Sequence, residues 1–307
     1  RDIGVTGVQT CALPISRGTL NLGIGRNVLR GLTNGNNNVA IGNNSLVSTT
    51  AGSNVGVGAG TLRNNTTGAA NTAIGNGALN LPTVCSNSVA VGNGALRNIA
   101  SGTQANIGIG SNTLDSANGN DNISIGNGSS ASLVGDKNIS IGNDTSPGLA
   151  GSENVTIGYN SFNGLAIGSN NINIGSGAGV LDESGNFISS IDNSVLIGYD
   201  ARPAADADTN EIVIGYSSRG FGSNTTTLGN SSIEATKIYG VYVTGQTAGT
   251  IASAGTIAPT LPVTFVSGTT TINTITPPTG ISTTGGQITL VPKGLWSTGT
   301  SGNIALA

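Results

Sequence analysis

Residues 37–46 read NNVAIGNNSL, and the pattern returns as NVGVGAGTL at 54–62, NTAIGNGAL at 71–79 and SVAVGNGAL at 88–96. In each copy a polar residue precedes two aliphatic residues that flank a small one, and a glycine closes the motif. This closing glycine recurs in nine units spaced by 16 to 18 residues, namely Gly25, Gly42, Gly58, Gly75, Gly92, Gly110, Gly126, Gly142 and Gly158. So short and regular a period predicts a solenoid in which each repeat forms one coil.

The alternation within the motif predicts that each coil opens with a β-strand. We expect the aliphatic side chains to point inward and the small residue between them to point outward. A leucine stands four residues after the glycine in the first six units, which predicts a second short strand on the return path: Leu29, Leu46, Leu62, Leu79, Leu96 and Leu114. With five further motif glycines, Gly168, Gly175, Gly198, Gly215 and Gly229, fourteen coils would form a rod of roughly 65 Å.

Two arrangements of the strands compete at this point. Asn-Gly pairs, as at 34, 76 and 93, are typical of antiparallel hairpins. An asparagine precedes the strand in nearly every unit, however, and equal residues at equal phase require parallel coils. Parallel stacking would place these amides in a ladder along one edge, each bonded to the next coil: Asn21, Asn38, Asn54, Asn71, Asn106, Asn122, Asn138, Asn154 and Asn171. We therefore predict an all-β, parallel β-solenoid with coils of 16–17 residues.

The small residue at the centre of each strand favours an oligomer. Gly, Ala or Ser occupies this position in eight units, and glycine weakens a strand unless something approaches it closely. Subunits related by a three-fold axis would supply that contact, so we expect a homotrimer with Ala40, Gly56, Ala73 and Ala90 towards the neighbouring subunit. The alternative is that small residues merely suit a flat exposed face.

Changes in composition divide the chain into five segments. Residues 1–16 share nothing with the repeats; VTGVQTCALPI at 5–15 resembles a translated sequencing adapter, so this segment is interpreted as not native. Regular coils are expected at 17–158 and irregular coils with insertions at 159–230. A closing strand, KIYGVYV, and a linker, TGQTAGTIASAGT, follow within 231–256, and a truncated, small C-terminal β module occupies 257–307. Its strands are expected in PVTFVSGTTTINTITPP, GGQITLVPKG and GNIALA.

Composition argues against most enzyme chemistry. The 307 residues include no histidine and only 8% charged residues, which removes imidazole bases and histidine-based metal sites. We expect no enzyme activity, no cofactor and no metal. The net charge of −3 offers no basic surface for nucleic acid, and no apolar run approaches the roughly 18 residues that a membrane-spanning helix needs. Once residues 1–16 are set aside, Cys85 is the one thiol, expected to be a small buried or turn residue.

Several local motifs resemble reactive sites and are better explained otherwise. The run GVGAG at 56–60 imitates a dinucleotide fingerprint, but the same glycines recur as turn residues. Asp206, Asp208 and Asn210 open a calcium-loop pattern that nothing closes, so a solvated loop is the better interpretation. Asp182 and Glu183 provide the carboxylate pair of a glycosidase, yet they lie in an insertion without supporting residues.

Aromatic residues give the best candidates for a binding surface. All ten lie from Tyr159 onward, in the irregular part of the chain. Tyr159, Phe162, Tyr216 and Phe221 are candidate receptor contacts, because aromatic rings stack on sugars. The alternative role for these four side chains is to cover the irregular coils.

The repeats resemble two known families. NNVAIGNNSL, NTTGAANTAIGNGAL and the segment from NSVLIGYD at 193 to NSS at 232 are similar to repeats of phage tail-fibre proteins. NSVAVG at 87–92 resembles the head repeat of bacterial trimeric autotransporter adhesins. Either resemblance implies a trimeric, left-handed parallel β-roll. The C-terminal TFVSGTTTINTITPPTGISTTGGQITLVPKGLWSTGTSGNIALA resembles a module of phage fibre and head-fibre proteins, which favours the first family.

The resemblance sets the expected function. The phage family implies a structural and adhesive fibre exposed on a virion, with a host-cell surface glycan or protein as partner. The alternative is a trimeric adhesin head on a bacterial cell surface. An ice-binding solenoid is a further alternative, but the coils lack the regular threonine arrays that its binding face needs.

Overall fold

The computed structural model describes residues 18–100, 102–163 and 168–234, together with six strands between residues 249 and 306. The predicted adapter-derived segment and the predicted closing strand at 237–243 lie outside the described residues. The chain divides into two compact units, with the boundary between Thr236 and Lys237.

The first unit is a parallel β-solenoid built on one sheet. Its thirteen strands are three residues each and pair parallel, in chain order and in register, so that motif residues stack on motif residues. The strands are β1 (Leu22–Ile24), β2 (Val39–Ile41), β3 (Val55–Val57), β4 (Thr72–Ile74), β5 (Val89–Val91), β6 (Ile107–Ile109), β7 (Ile123–Ile125), β8 (Ile139–Ile141), β9 (Val155–Ile157), β10 (Ile172–Ile174), β11 (Val195–Ile197), β12 (Ile212–Ile214) and β13 (Thr226–Leu228). This confirms the all-β parallel solenoid and contradicts the antiparallel alternative.

The sheet has one strand fewer than the fourteen motif glycines predict. Strand β10 pairs directly with β9, and residues 164–167, which precede Gly168, lie outside the described residues. Gly168 is instead a turn residue whose carbonyl accepts a hydrogen bond from Asn154 Nδ2 at 2.9 Å. Twelve steps of about 4.8 Å give a sheet about 58 Å long.

The faces of the strands are the reverse of the prediction. The small central residues, such as Ala40, Ala73 and Ala90, are fully buried inside the solenoid, while the flanking aliphatic residues lie on the outside and are half-buried or exposed. In the regular coils this position has little room, since a Cβ added to Gly56 would overlap Leu46 Cδ1. The larger residues Asn173, Leu196 and Val213 occupy the same buried position in β10 to β12. Alternation therefore identified the strand correctly, but in the regular coils the small residue and not the aliphatic ones is inside.

The leucines four residues after each glycine are not in a second strand. They lie in turns with positive φ, 48° at Leu46 and 49° at Leu79, and these turns aim the side chains into the lumen. The turns still bond between coils; the Leu46 N–H donates to Thr61 O at 2.9 Å. Elsewhere in the coils, the only further parallel pairing in the described residues consists of single bridges, for example Asn118 with Val134.

The predicted asparagine ladder is present, and it is buried. Each Oδ1 accepts the backbone N–H of the ladder residue in the next coil, as from Asn54 to Asn38 at 3.0 Å. Each Nδ2 donates to a turn carbonyl beside that residue, as from Asn38 to Ala51 at 3.0 Å. Ser88 and Ser194 take the ladder position in two coils. Glu211 ends the ladder, with its carboxylate accepting the N–H groups of Ala204 and Gly222.

The second unit contributes six short strands that alternate between two three-stranded parallel sheets. One sheet contains β14 (Gly249–Ala252), β16 (Val263–Ser267) and β18 (Thr289–Pro292); the other contains β15 (Thr256–Ile257), β17 (Thr274–Ile275) and β19 (Ala305–Leu306). Strand β14 lies in the segment predicted to be a linker, whereas β16 to β19 lie in the three segments predicted to form strands.

Candidate functional site: the tyrosine column of the irregular coils

The residue directly after each closing glycine stands at one corner of the solenoid, so these residues form a column along it. In the regular coils from β2 to β8 the column contains Asn43, Ala59, Asn76, Asn93, Ser111, Asn127 and Asn143. The coils that begin at β9, β11 and β12 place Tyr159, Tyr199 and Tyr216 there, with exposed fractions of 62%, 55% and 68%. We call these three residues the tyrosine column.

Two members of the column form a stack. The rings of Tyr199 and Tyr216 have centroids 5.3 Å apart and planes inclined by 14°. Direct pairing of β11 with β12 fixes this separation, because it places the two tyrosines one coil apart. Tyr199 and Tyr216 therefore form one ordered aromatic surface and are not independent side chains.

The coil that begins at β10 interrupts the column with a small residue. Ser176 follows Gly175 and stands between Tyr159 and Tyr199, because β10 pairs with both β9 and β11. The next residue, Gly177, has φ +69° and nothing within 4 Å of the position where a Cβ would lie. The tyrosine column thus contains a gap over Ser176 and Gly177.

A charge cluster lies beside the stacked tyrosines. Asp200 binds Arg202 at 2.9 Å and Arg219 at 3.1 Å, so a single carboxylate is shared by guanidinium groups from successive coils. Partial burial acts to raise the pKa of Asp200, but the hydrogen bonds and positive charges of the two arginines outweigh it and leave that pKa below its ordinary value. The carboxylate is ionised and paired at neutral pH.

The structure separates the four predicted receptor contacts. Tyr159 and Tyr216 belong to the column, and Phe221, in the same coil as Tyr216, is 85% exposed. Phe162 is fully buried, so its prediction as a receptor contact is wrong. It stands four residues after Gly158, the position that leucine occupies in the regular coils, and Gly179 in the next coil makes room for its ring.

Tyr199 was missed by the sequence prediction, although its position contained the signal. It follows a motif glycine, as Tyr159 and Tyr216 do, and that register alone would have grouped the three residues. The position relative to the glycine would equally have assigned Phe162 to the interior.

The other acidic candidates have structural partners. Asp206 accepts hydrogen bonds from the Ser189 side chain and from the Ser189 and Ser190 backbone, which hold its pKa below the usual range against a small desolvation effect. The pKa of Asp182 is lowered mainly by the side chain and N–H of Asn186. Within the described ranges, no group of three or more acidic or thiol side chains could hold a metal ion.

Cys85 is buried against the asparagine ladder, in agreement with the prediction of a small buried residue. Its Sγ lies 3.3 Å from Ser88 Oγ. Burial raises the pKa of the thiol, and the hydrogen bond with Ser88 opposes that effect only in part. This thiol is therefore protonated at neutral pH and fills space in the core.

Comparison with known proteins finds no match: no family model, no curated protein and no solved structure matches the chain. In the described part of the chain, no helix has the length and apolar character to cross a membrane.

Proposed function

We propose that the chain is a structural and adhesive fibre of a phage virion that presents a surface for attachment to its host. One observation carries the proposal: the aliphatic residues of the sheet face outward and are half-buried or exposed in every strand of the solenoid. Ile74 and Ile109, for example, are 41% and 39% exposed. A structure of this kind needs partners along its length, as the subunits of a fibre do.

The size of the aliphatic face supports an oligomer. Two columns of side chains about 7 Å apart and about 58 Å long cover on the order of 500 Å², at the upper end of what single soluble proteins expose as one patch. Because the face is repeated in register, equal faces can meet around a closed symmetry axis. The proposed assembly is a homotrimer in which Val and Ile, instead of the small residues, meet the neighbouring subunits.

The two kinds of coil support separate roles in such a fibre. The regular coils present mainly amides and small residues at the column position, which suits a spacer. The irregular coils carry the tyrosine column and the charge cluster, and chemically diverse residues on a rigid scaffold are typical of binding surfaces. The partner would be a glycan or protein on the host surface.

The trimer is tested by placing charges on the aliphatic face. Ile74→Asp combined with Ile109→Asp should convert a trimeric mass in multi-angle light scattering into a monomeric one, because each buried carboxylate would lack a partner. Thr67→Asp, at an exposed turn residue, is the matched control and should leave the trimer intact. A monomeric mass for the unaltered protein would contradict the assembly.

The location is tested with antibodies raised against the solenoid. Gold labelling of fibres on phage particles is the expected result in electron microscopy. Labelling of bacterial cells without particles would instead support the alternative, a trimeric adhesin head on the bacterial surface, to which the NSVAVG motif at 87–92 points.

A further inference from the structure

We propose that the gap in the tyrosine column, between Tyr159 and Tyr199, binds one pyranose ring of a polysaccharide on the host surface. The inference rests on the proposed attachment function and assigns its binding site and ligand class. It starts from the interruption of the column by Ser176, which the strand register places between the two tyrosines.

The spacing of the column sets the width of the gap. Rings in adjacent coils are 5.3 Å apart, as Tyr199 and Tyr216 show. Tyr159 and Tyr199 are two coils apart, so rings in the same orientation would leave about 10 Å between their planes. No third ring fills this space, since Ser176 carries only a hydroxymethyl group.

The floor of the gap is also open. In three regular coils the space above the corresponding glycine contains a side chain from the adjoining structure: Asn80 at Gly60, Asn112 at Gly94 and Asp144 at Gly128. Above Gly177 nothing lies within 4 Å, and the side chain at the same position of the next coil, Asp200, is bound to the two arginines. The opening therefore extends down to the backbone of the coil.

The width favours a saturated ring over a planar one. A flat ring between two aromatic rings needs about 7 Å, that is, two contacts of about 3.5 Å. A pyranose chair, with carbon contacts of about 4 Å and axial substituents on both faces, occupies more of the roughly 10 Å available. The C–H groups on its two faces would contact the two tyrosine rings.

Polar groups at the gap match a hydroxyl-rich ligand. The Ser176 hydroxyl makes no hydrogen bond to any described residue and is partly exposed at the floor. The phenol groups of Tyr159 and Tyr199 belong to exposed side chains at the two walls. These groups can donate hydrogen bonds to sugar hydroxyls and accept hydrogen bonds from them. The cluster of Asp200 with Arg202 and Arg219 holds the adjacent turn in place.

The experiment uses the full chain on an array of bacterial capsular and O-antigen polysaccharides, followed by titration calorimetry with the oligosaccharide repeat that binds. Tyr159→Ala and Tyr199→Ala should each weaken binding by about ten- to a hundredfold, the loss expected for one aromatic stacking contact. Ser176→Tyr should abolish binding, because a third ring completes the column and fills the gap. Tyr216→Ala, outside the gap, should change affinity by less than about threefold.

Light scattering of each variant separates the site from the assembly. Unchanged trimer mass with lost binding supports the site; loss of the trimer in Tyr159→Ala would assign the tyrosines to the subunit interface and overturn it. Binding that survives Ser176→Tyr, or the absence of any bound polysaccharide, would also overturn it. The gold-labelling result is independent of these outcomes, so a fibre that binds no sugar refutes only this inference.

Discussion

Two groups of regular coils share one backbone but have different interiors. The apolar-lumen coils, residues 39–117, have Ala or Gly at the inward strand position and Leu at the inward turn position. The hydroxyl-lumen coils, residues 123–161, have Ser or Thr at the strand position, and Ser130 and Ser146 replace the leucine. Their leucines move three residues along the chain, to Leu133 and Leu149. The solenoid therefore preserves the volume of its lumen and not the chemistry.

The compensation works between neighbouring coils. In the apolar-lumen coils a leucine methyl fills the space over the next small residue, as Leu96 does over Gly108. Where serine replaces leucine, the next strand residue is larger and polar, and the hydroxyls bond to one another: Ser146 to Thr156 at 3.0 Å and Thr156 to Ser140 at 3.0 Å. The hydroxyls of Ser146, Thr156 and Ser140 thus satisfy one another inside the lumen.

The largest expected effect comes from placing a single serine in the apolar lumen. Leu79→Ser removes buried methyl groups and adds a hydroxyl between Ala78 and Ala95, whose side chains offer no hydrogen bond. We expect the free energy of unfolding to fall by about 4 kcal/mol. Urea denaturation followed by circular dichroism measures it. Ser146→Ala, which removes one hydroxyl from the other group, should cost only about 1 kcal/mol; equal losses for the two variants would contradict the comparison.

The contribution of the asparagine ladder to the free energy of unfolding should be the same in both groups of coils. Asn71→Ala and Asn138→Ala each leave the N–H of the next ladder residue and one turn carbonyl without partners. Each should lower the free energy of unfolding by about 2 to 4 kcal/mol, and by similar amounts. Asn138→Ser should be milder, because Ser88 and Ser194 already keep the acceptor at this position in the native chain. A large difference between the two alanine variants would show that lumen and ladder are coupled.

The two interiors should be exchangeable in pairs. Ser146→Leu alone overfills the lumen against Thr156 and should cost about 2 kcal/mol. Adding Thr156→Ala recreates the combination found at Leu62 and Ala73, and the double variant should recover at least half of that loss. The same urea titration gives the coupling energy of the pair. Strictly additive losses would refute volume compensation between coils.

The smallest effect concerns pH and is confined to the apolar-lumen group, which contains Cys85. Because the pKa of this thiol is raised in the folded protein, its stabilising contribution is complete below the unfolded pKa of about 8.5 and is lost as the pH rises through the higher folded value. The urea midpoint should therefore fall between pH 7 and pH 10 more in the native protein than in Cys85→Ala. An identical pH dependence in both proteins would contradict a buried thiol that resists ionisation.

The sequence predicts the period, the strand position and the ladder, because each depends on residues at a fixed phase of the repeat. It misassigns the faces of the strand, since hydrophobic residues are usually inside, whereas in the regular coils the inward strand position holds only Ala, Gly, Ser or Thr. The error at Phe162 has the same origin: an aromatic in an irregular coil was treated as surface, although its phase is that of the inward leucines. Spacing between coils, which brings Tyr159 and Tyr199 to either side of Ser176, follows only from the strand pairing, because a 23-residue interval separates Gly175 from Gly198.

Because the buried ladder repeats from coil to coil, the solenoid can be built with more or fewer coils. In each coil the N–H of the ladder residue donates to the ladder side chain of the preceding coil, and the ladder side chain accepts from the next coil. Removing a whole repeat therefore brings together donors and acceptors identical to those that were separated. One deleted repeat shortens the sheet by about 4.8 Å without changing its register. Recombination between repeats can therefore change the length of the solenoid in fixed increments of one coil, while the residues beyond Gly158 keep their own arrangement.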